Sequence, residues 1–314
     1  NCDWSSDVCS SDLITTAAAT PVLIDAAAVV TRYQDAFNVG TSTADAAEAS
    51  IAMCDRTEAG ILDNLSTHCN DAVGDGYFRV CAISPPIATT AAVARGTVGD
   101  GSDRTGLTQA VTAYVHPGWQ RQFREDSANL TGPQFLATFP AAPSFAFLMA
   151  NTVPEENPAH VHQILVDHKI VAVETLAAGV VDRKLHEQDA IVQPIMARSS
   201  GAMKPSFHTG VMANGTPTAR RRMAYFLWAN ILDLVEPFHK RLAHQANRDK
   251  ITSRISAFLS RLKALGRIES FLPPTAEWSS PQLTVTVVVN ETPNADTITI
   301  RGTFGADVVQ DAEG

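Results

Sequence analysis

Metal chemistry needs imidazoles or carboxylates that converge, and one short stretch offers them: His160-x-His162 followed by Asp167-His168. On a strand, where successive side chains alternate, His160 and His162 share a face and begin a metal site. A third ligand would have to come from five to eight residues further along, a spacing that matches no recognised ligand pattern. Surface or partly buried histidines are the simpler reading. Gly99-Asp100-Gly101-Ser102-Asp103 resembles a calcium loop only loosely, lacking the full oxygen set and the closing glutamate, and reads as a solvent loop. The chain contains no GxGxxG, GxxxxGK(S/T), GxSxG or HExxH. Nucleotide binding and the common hydrolase chemistries therefore lack their motifs. The residues assign no catalytic group, no cofactor and no resident metal.

Cations are the stronger signal. Arg220-Arg221-Arg222 sits where a helix should begin, and three positive charges in a first turn oppose the helix dipole, at about 0.3–1 kcal/mol each when exposed. A segment that breaks a local rule often does so for a partner. A second helix, expected over Asp249–Leu265, carries Lys250, Arg254 and Arg261 opposite an apolar stripe of Ile251, Ile255, Phe258, Leu262 and Leu265. Ala219–Arg267 holds 11 Lys/Arg against 3 Asp/Glu, whereas Ile268–Gly314 holds 1 against 7. A basic helical pair before an acidic, strand-forming terminus suggests charge-matched contacts within or between chains. Nucleic acid is disfavoured as the partner: the whole chain is acidic, and no aromatic residues interleave with the basic ones.

These residues need elements to hold them. The chain has 314 residues, 45% hydrophobic and 18% charged, with a formal net charge of −9. That length suits two domains better than one, and no apolar run reaches the roughly 18–20 residues of a membrane span. Asp3–Leu13 (DWSSDVCSSDL) reads as a translated sequencing adapter, so residues 1–13 are expected to be an artefact, with the genuine protein starting near Ile14 and its own beginning missing. Without the adapter's Asp3, Asp7 and Asp12 the net charge becomes −6, and Cys54, Cys69 and Cys81 remain. Such a trio without CxxC spacing is neither a disulfide framework nor a zinc site; small buried side chains in a reducing compartment are expected.

The periodicity predicts a helix over Asp55–Asn70 and buried strands at Tyr77–Ser84 and Gln109–His116. Pro117-Gly118-Trp119 should close the second strand. Gln134–Asn151 reads as a helix-like stretch broken by Pro140 and Pro143. Apolar segments at Ile164–Val181 and Ala190–Arg198 are joined by the polar stretch Asp182–Asp189. This alternation suggests an α/β arrangement to about Gly215. Thr218 then caps a largely buried helix from Ala219, Pro237 ends it, and Gly266 stops its successor. Two strands follow, Leu283–Asn290 and Thr297–Thr303. The fold class is mixed α/β (α+β): a main domain over 14–216, then over 217–314 a domain of two helices and a terminal strand pair.

TARRRMAYFLWANILDLVEPFHKRL, ITSRISAFLSRLKALGRIESF and TITIRGTFGADVV resemble the C-terminal domain of contractile phage tail sheath proteins. Upstream, CDRTEAGILDNL, YFRVCAISPP, AYVHPGW, PEENP and LHEQDAIVQPIMARSSGAMKPSFHTGVMA agree in order, so the resemblance covers roughly Met53–Val309. Full sheath subunits are usually longer at the N-terminus. The resemblance implies a virion structural part rather than an enzyme, assembled in a bacterial cytoplasm. Copies of the chain would stack as rings around an inner tail tube, bounded by baseplate and tail terminator proteins, and contract to drive the tube through an envelope. Another structural protein, such as a baseplate component, is the alternative; a metal enzyme built on His160 and His162 is a weaker one.

The resemblance also gives the candidate residues roles. Thr297, Ile298, Thr299, Ile300 and Arg301 would form an inter-subunit strand, and Arg220, Arg221, Arg222, Lys250, Arg254 and Arg261 would meet the tube or a neighbour. No nucleic acid and no membrane insertion are expected. Deleting residues 1–13, which offer little apolar surface to bury, is expected to leave the melting temperature unchanged; a drop of several degrees in parallel thermal scans would contradict the adapter reading.

Overall fold

The computed structural model describes residues 50–54, 56–74, 77–97, 104–123, 136–159, 170–199, 202–238, 244–279, 282–292, 299–304 and 307–313. In chain order its elements are β1 (Ile51–Met53), α1 (Ala59–Gly74), β2 (Val80–Ile83), α2 (Ala91–Ala94), β3 (Thr112–Tyr114), β4 (Trp119–Phe123), β5 (Leu136–Pro140), α3 (Ala142–Asn151), β6 (Ile170–Val173), α4 (Val180–Gln188), β7 (Pro194–Ser199) and β8 (Ala202–Phe207). Then come α5 (Thr218–Val235), α6 (Gln245–Ala264), β9 (Ile268–Phe271), β10 (Thr275–Ser279), β11 (Gln282–Thr286), β12 (Val289–Glu291), β13 (Thr299–Phe304) and β14 (Asp307–Glu313). Mixed helix and strand is the class expected.

Buried parallel strands read as unbroken apolar runs because both faces are covered. β2 is one: all four of its residues are buried, and it is the centre of a parallel β1-β2-β3 sheet. Helices α1 and α3 pack on β1 and β2. The expected α1 face is present in Leu62, Leu65 and Cys69, all buried. Cys54, Cys69 and Cys81 are all buried. A bridge between Val115 and Val192 carries the parallel direction one strand further.

Three segments of this half differ from the expectation. Gln134–Asn151 is not one helix-like stretch but strand β5 followed by α3. Pro140 ends the strand, and Pro143 occupies the first turn of the helix, where no N–H is needed. The Ser84 hydroxyl accepts the Ala142 N–H at 2.9 Å, so the end of β2 supplies a partner for that turn. Pro117-Gly118-Trp119 does not only close a strand: Trp119 opens β4, the centre of an antiparallel β5-β4-β6 sheet. The polar stretch between the apolar segments is also more than a linker, since α4 occupies it.

The second half builds its own core. Met223 and Leu227 of α5 pack with Ile251, Ile255, Leu259 and Leu262 of α6 and with Ile268. Met223 and Leu227 lie four positions apart, so they share one helix face, and Tyr225 between them points the other way, into the first core. Thr218 does not cap this helix; it lies inside the first turn, with Pro217 before it and no side-chain cap. On α6, Leu265 is exposed and not in the expected stripe, because the helix ends at Ala264. Gly266 follows with φ +73°, the left-handed stop that glycine adopts without steric cost.

Leu283–Asn290 does not pair with the terminal strand. β11 pairs antiparallel with β10 and β12 with β9, forming one bent ribbon over 268–291. Pro273 and Pro274 have no N–H, so the ladder breaks between its arms, joined there by Leu272 N–H to Val288 O at 3.0 Å. Leu283, Val285, Val287 and Val289 face the second core, whereas Thr284, Thr286 and Asn290 are exposed. β13 pairs instead with β14, a strand the periodicity had not predicted.

Phe145 is buried against Phe207, ring centroids 5.0 Å apart at 65°. Phe145→Ala is expected to cost about 3–5 kcal/mol, measured by urea denaturation; a loss under about 1 kcal/mol would mean the site collapses around the void.

Candidate interaction surfaces

Candidate residues of three kinds must be placed: the arginines opening α5, the cations along α6, and the terminal strand. Arg220 reaches across to Glu291 of β12 in a close ion pair. Arg222 donates from Nη2 to the Thr152 carbonyl at 2.5 Å and from Nη1 to that of Val153 at 3.4 Å. Burial pulls the Arg222 guanidinium down to about 10, partly offset by Glu155, so it stays charged at neutral pH. The Arg221 guanidinium lies 5.6 Å from the Tyr225 ring centroid. Arg267 Nε meets Glu155 Oε1 at 2.9 Å. The residues after α3 are thus fastened to both ends of the α5–α6 unit. The trio that defies the helix dipole is explained within the chain: Arg220 and Arg222 have partners that local sequence could not show, 71 and 70 residues away.

Lys250, Arg254 and Arg261 are different. All three are exposed on α6, opposite the buried Ile251, Ile255, Leu259 and Leu262. Arg254 leans over Phe238, 5.0 Å from its ring centroid. This face presents positive charge outward, as a docking surface would. Thr299, Ile300 and Arg301 lie in β13, whose described ladder is the hairpin with β14 alone; Thr297 and Ile298 lie outside the described residues. A lone two-stranded hairpin is marginal in water and gains from a third strand. The open edges of this hairpin and of the β9–β12 ribbon are where backbone N–H and C=O groups await partners.

His160, His162, Asp167, His168 and the Gly99–Asp103 loop lie outside the described residues. Among the described residues, no group of three or more His, Cys, Asp and Glu converges as metal ligands would. The Cys69 thiol is raised well above its ordinary value, first by its hydrogen bond with Cys81 and then by burial, so it is not a thiolate nucleophile. No helix among the described residues is long and apolar enough to cross a membrane.

One polar group escaped the sequence reading. His116, just past β3, and His186 of α4 are buried, with His116 Nδ1 2.8 Å from His186 Nε2. His116 Nε2 lies 2.8 Å from the Thr89 carbonyl, which only accepts, so that nitrogen carries the proton and Nδ1 accepts from His186. Burial lowers both imidazoles, His186 to about 4, where His116 and Arg95 add repulsion. Arg95 approaches Asp182 and Asp189 at 4.0 Å, and Arg104 meets Asp189 at 3.3 Å. The i, i+4 spacing of Asp182 and His186 was the available signal, though nothing local marks that face as buried.

No family model matches this chain, and no curated protein matches it. Solved structures do. A chain of the contracted sheath complex of an extracellular contractile injection system, PVC, superposes with a TM-score of 0.62 at 13% identity, covering 90% of this chain and 81% of that one. A chain of the anti-feeding prophage (AFP) baseplate gives 0.60 at 10% identity, covering 93% and 83%. The AFP helical sheath in its contracted state gives 0.53 at 12% identity, covering 79% and 67%.

Arg222→Ala takes the guanidinium from the Thr152 carbonyl, while that of Val153 keeps the Glu156 N–H, and is expected to cost about 1–3 kcal/mol. Arg220→Ala removes an exposed pair and should cost below about 1 kcal/mol. Urea denaturation of the two variants separates them, and equal losses would contradict this account of the trio. With its mixed sheets, α5–α6 pair and bent ribbon, the chain has the fold of the contractile injection system proteins to which it is similar.

Proposed function

We propose that this chain is a structural subunit of a contractile sheath, polymerising around an inner tube and contracting to drive that tube through a target envelope. The observation that carries the reading is the shared fold: two of the structures described above are contracted sheaths, and they match over 90% and 79% of this chain. On this reading the role is mechanical, with no catalysis. The division proposed is a main domain over 14–216 and a C-terminal domain over 217–314, a reading supported by the separate α5–α6 core. The assembled particle is a virion tail or a related injection device. Energy for contraction would be stored in many identical interfaces with two alternative packings.

Within this reading, Lys250, Arg254 and Arg261 contact an acidic face of the tube or of a neighbouring subunit, and the 297–301 strand adds to a neighbour's sheet. Backbone hydrogen bonds supply much of the affinity in strand addition, so sequence tolerance is expected there. Partners at the ends of the sheath are the baseplate and a terminator. A second reading, a baseplate component, is favoured by the AFP baseplate chain, 83% of which this chain covers.

Arg254→Glu with Arg261→Glu should leave the fold intact, judged by circular dichroism, and reduce tubes or rings in negative-stain images. Unchanged assembly at low salt, where such contacts are least screened, would return this face to ordinary solvation. Truncation after Asn294 should reduce assembly seen by light scattering, and Ile300→Pro should act likewise by removing a donor and bending the strand. If the truncated chain assembles as well as its parent, the strand-exchange role is wrong. A fully assembled state that caps tubes without extending them would favour the baseplate reading.

A further inference from the structure

Helix α4 is held to the body of the protein in an unusual way. The side chains it buries are Asp182 and His186, one turn apart; Leu185 is half-buried, and Val180 and Val181 at its tip are 64% and 62% exposed. None of its side chains belongs to either hydrophobic core. What normally pins a helix to a domain, an apolar stripe, is replaced here by a titratable pair.

We propose that His116 and His186 form a proton-operated latch: proton uptake by the pair releases α4 from the β3 end of the sheet while the α5–α6 core stays folded. The geometry carries this. His116 spends its Nε2 proton on the Thr89 carbonyl, so its only free acceptor, Nδ1, takes the His186 Nε2–H. A proton added to His116 goes to Nδ1, which keeps its bond to His186 only if that ring moves its own proton from Nε2 to Nδ1, and the buried pair then carries a positive charge. A proton added to His186 places a cation beside Arg95, which approaches from the end of α2.

The surrounding charges do not cancel this. Asp182, on α4 itself, favours protonation, yet it is already near Arg95 and accepts the Ala178 N–H at 2.9 Å. Asp189, just past α4, is engaged by Arg95 and Arg104. On the outer side, Glu187 of α4 gains a contact with His208. Both of those groups are exposed, so solvent screens the gain. Gln193 Nε2 donates to the Arg183 carbonyl at 3.0 Å and does not titrate. Gly179 enters the helix at φ +57°, where a glycine turns without the penalty other residues meet.

The sign follows from the lowered imidazoles. The His186 contribution is complete above the ordinary histidine value near 6.5 and is lost as pH falls toward about 4, and burial lowers His116 in the same direction. With His186 alone titrating, the opening equilibrium of α4 rises about 25-fold between pH 7.5 and 5.0, and His116 adds to it.

The test is amide hydrogen exchange on the full chain at pH 7.5 and 5.0, corrected for intrinsic rates. Protection should fall by about 25-fold or more across 180–188 and stay constant across 251–262 of α6. Equal loss in both segments would mean global acid unfolding and overturn the latch, as would unchanged protection of 180–188. His186→Gln keeps an amide donor for His116 without a charge and should shrink the acid response of 180–188. The same response in that variant would also overturn the proposal. If the variant does not fold at pH 7.5, the two-segment comparison in the unaltered chain decides alone.

Discussion

Helix α5 has to satisfy two hydrophobic cores at once. Met223 and Leu227 serve the α6 side, and Tyr225, on the opposite face, serves the sheet side. Tyr225 also joins an aromatic cluster with Phe78 and Trp228, centroids 5.5 and 6.1 Å from its own. A helix used on both faces cannot rotate to improve one contact without losing the other, because packed interiors are intolerant of even small voids. The rest of the architecture respects that constraint. Arg222 locks the first turn of α5 to the carbonyls after α3, and Arg220 ties the same turn to β12.

Polar groups carry the remaining joints. Arg95, Arg104, Asp182, Asp189 and the histidine pair bring α2, the loop before β3 and α4 together where apolar contact is sparse. Buried polar groups are costly unless partnered, so such a network specifies one arrangement more sharply than an oily contact would. It also makes that joint responsive to solution conditions, in a way that the Ile- and Leu-lined α6 core is not.

Strands and helices with clean periodicity were legible in the sequence: α1, β2, α5, α6 and the glycine that ends α6. So was the outward cationic face of α6, because the buried side of that helix is marked by four aliphatic residues at helical spacing. What was not legible depended on distant partners. The Arg220–Arg222 trio looked like a surface awaiting another molecule, yet Glu291 and the Thr152 carbonyl meet two of its members. Asp182–Asp189 looked like a linker because a helix anchored by Asp and His has no hydrophobic stripe to read. β9 and β10 were not predicted: Pro273-Pro274 argues against a strand, and the chain accommodates both prolines by breaking the ladder at a bend. Cys54, Cys69 and Cys81 are buried, as expected.

That diproline bend makes the two rims of the ribbon unequal. Successive N–H groups along a strand point to alternate sides, so two adjacent prolines silence one inward and one outward donor. The rim formed by 268–279 therefore has a gap in its outward donors at the bend. A visiting strand laid along it finds short footholds of four and five residues, β9 and β10, with a mismatch between them. The rim formed by 282–291 contains no proline. Two-sided growth of such a ribbon into an open-ended stack is thereby blocked on one side, the kind of protection that natural sheet edges acquire from proline. The molecule is polar in the directional sense: of its two ribbon rims, one is uninterrupted and the other is broken, which disfavours indefinite side-by-side aggregation.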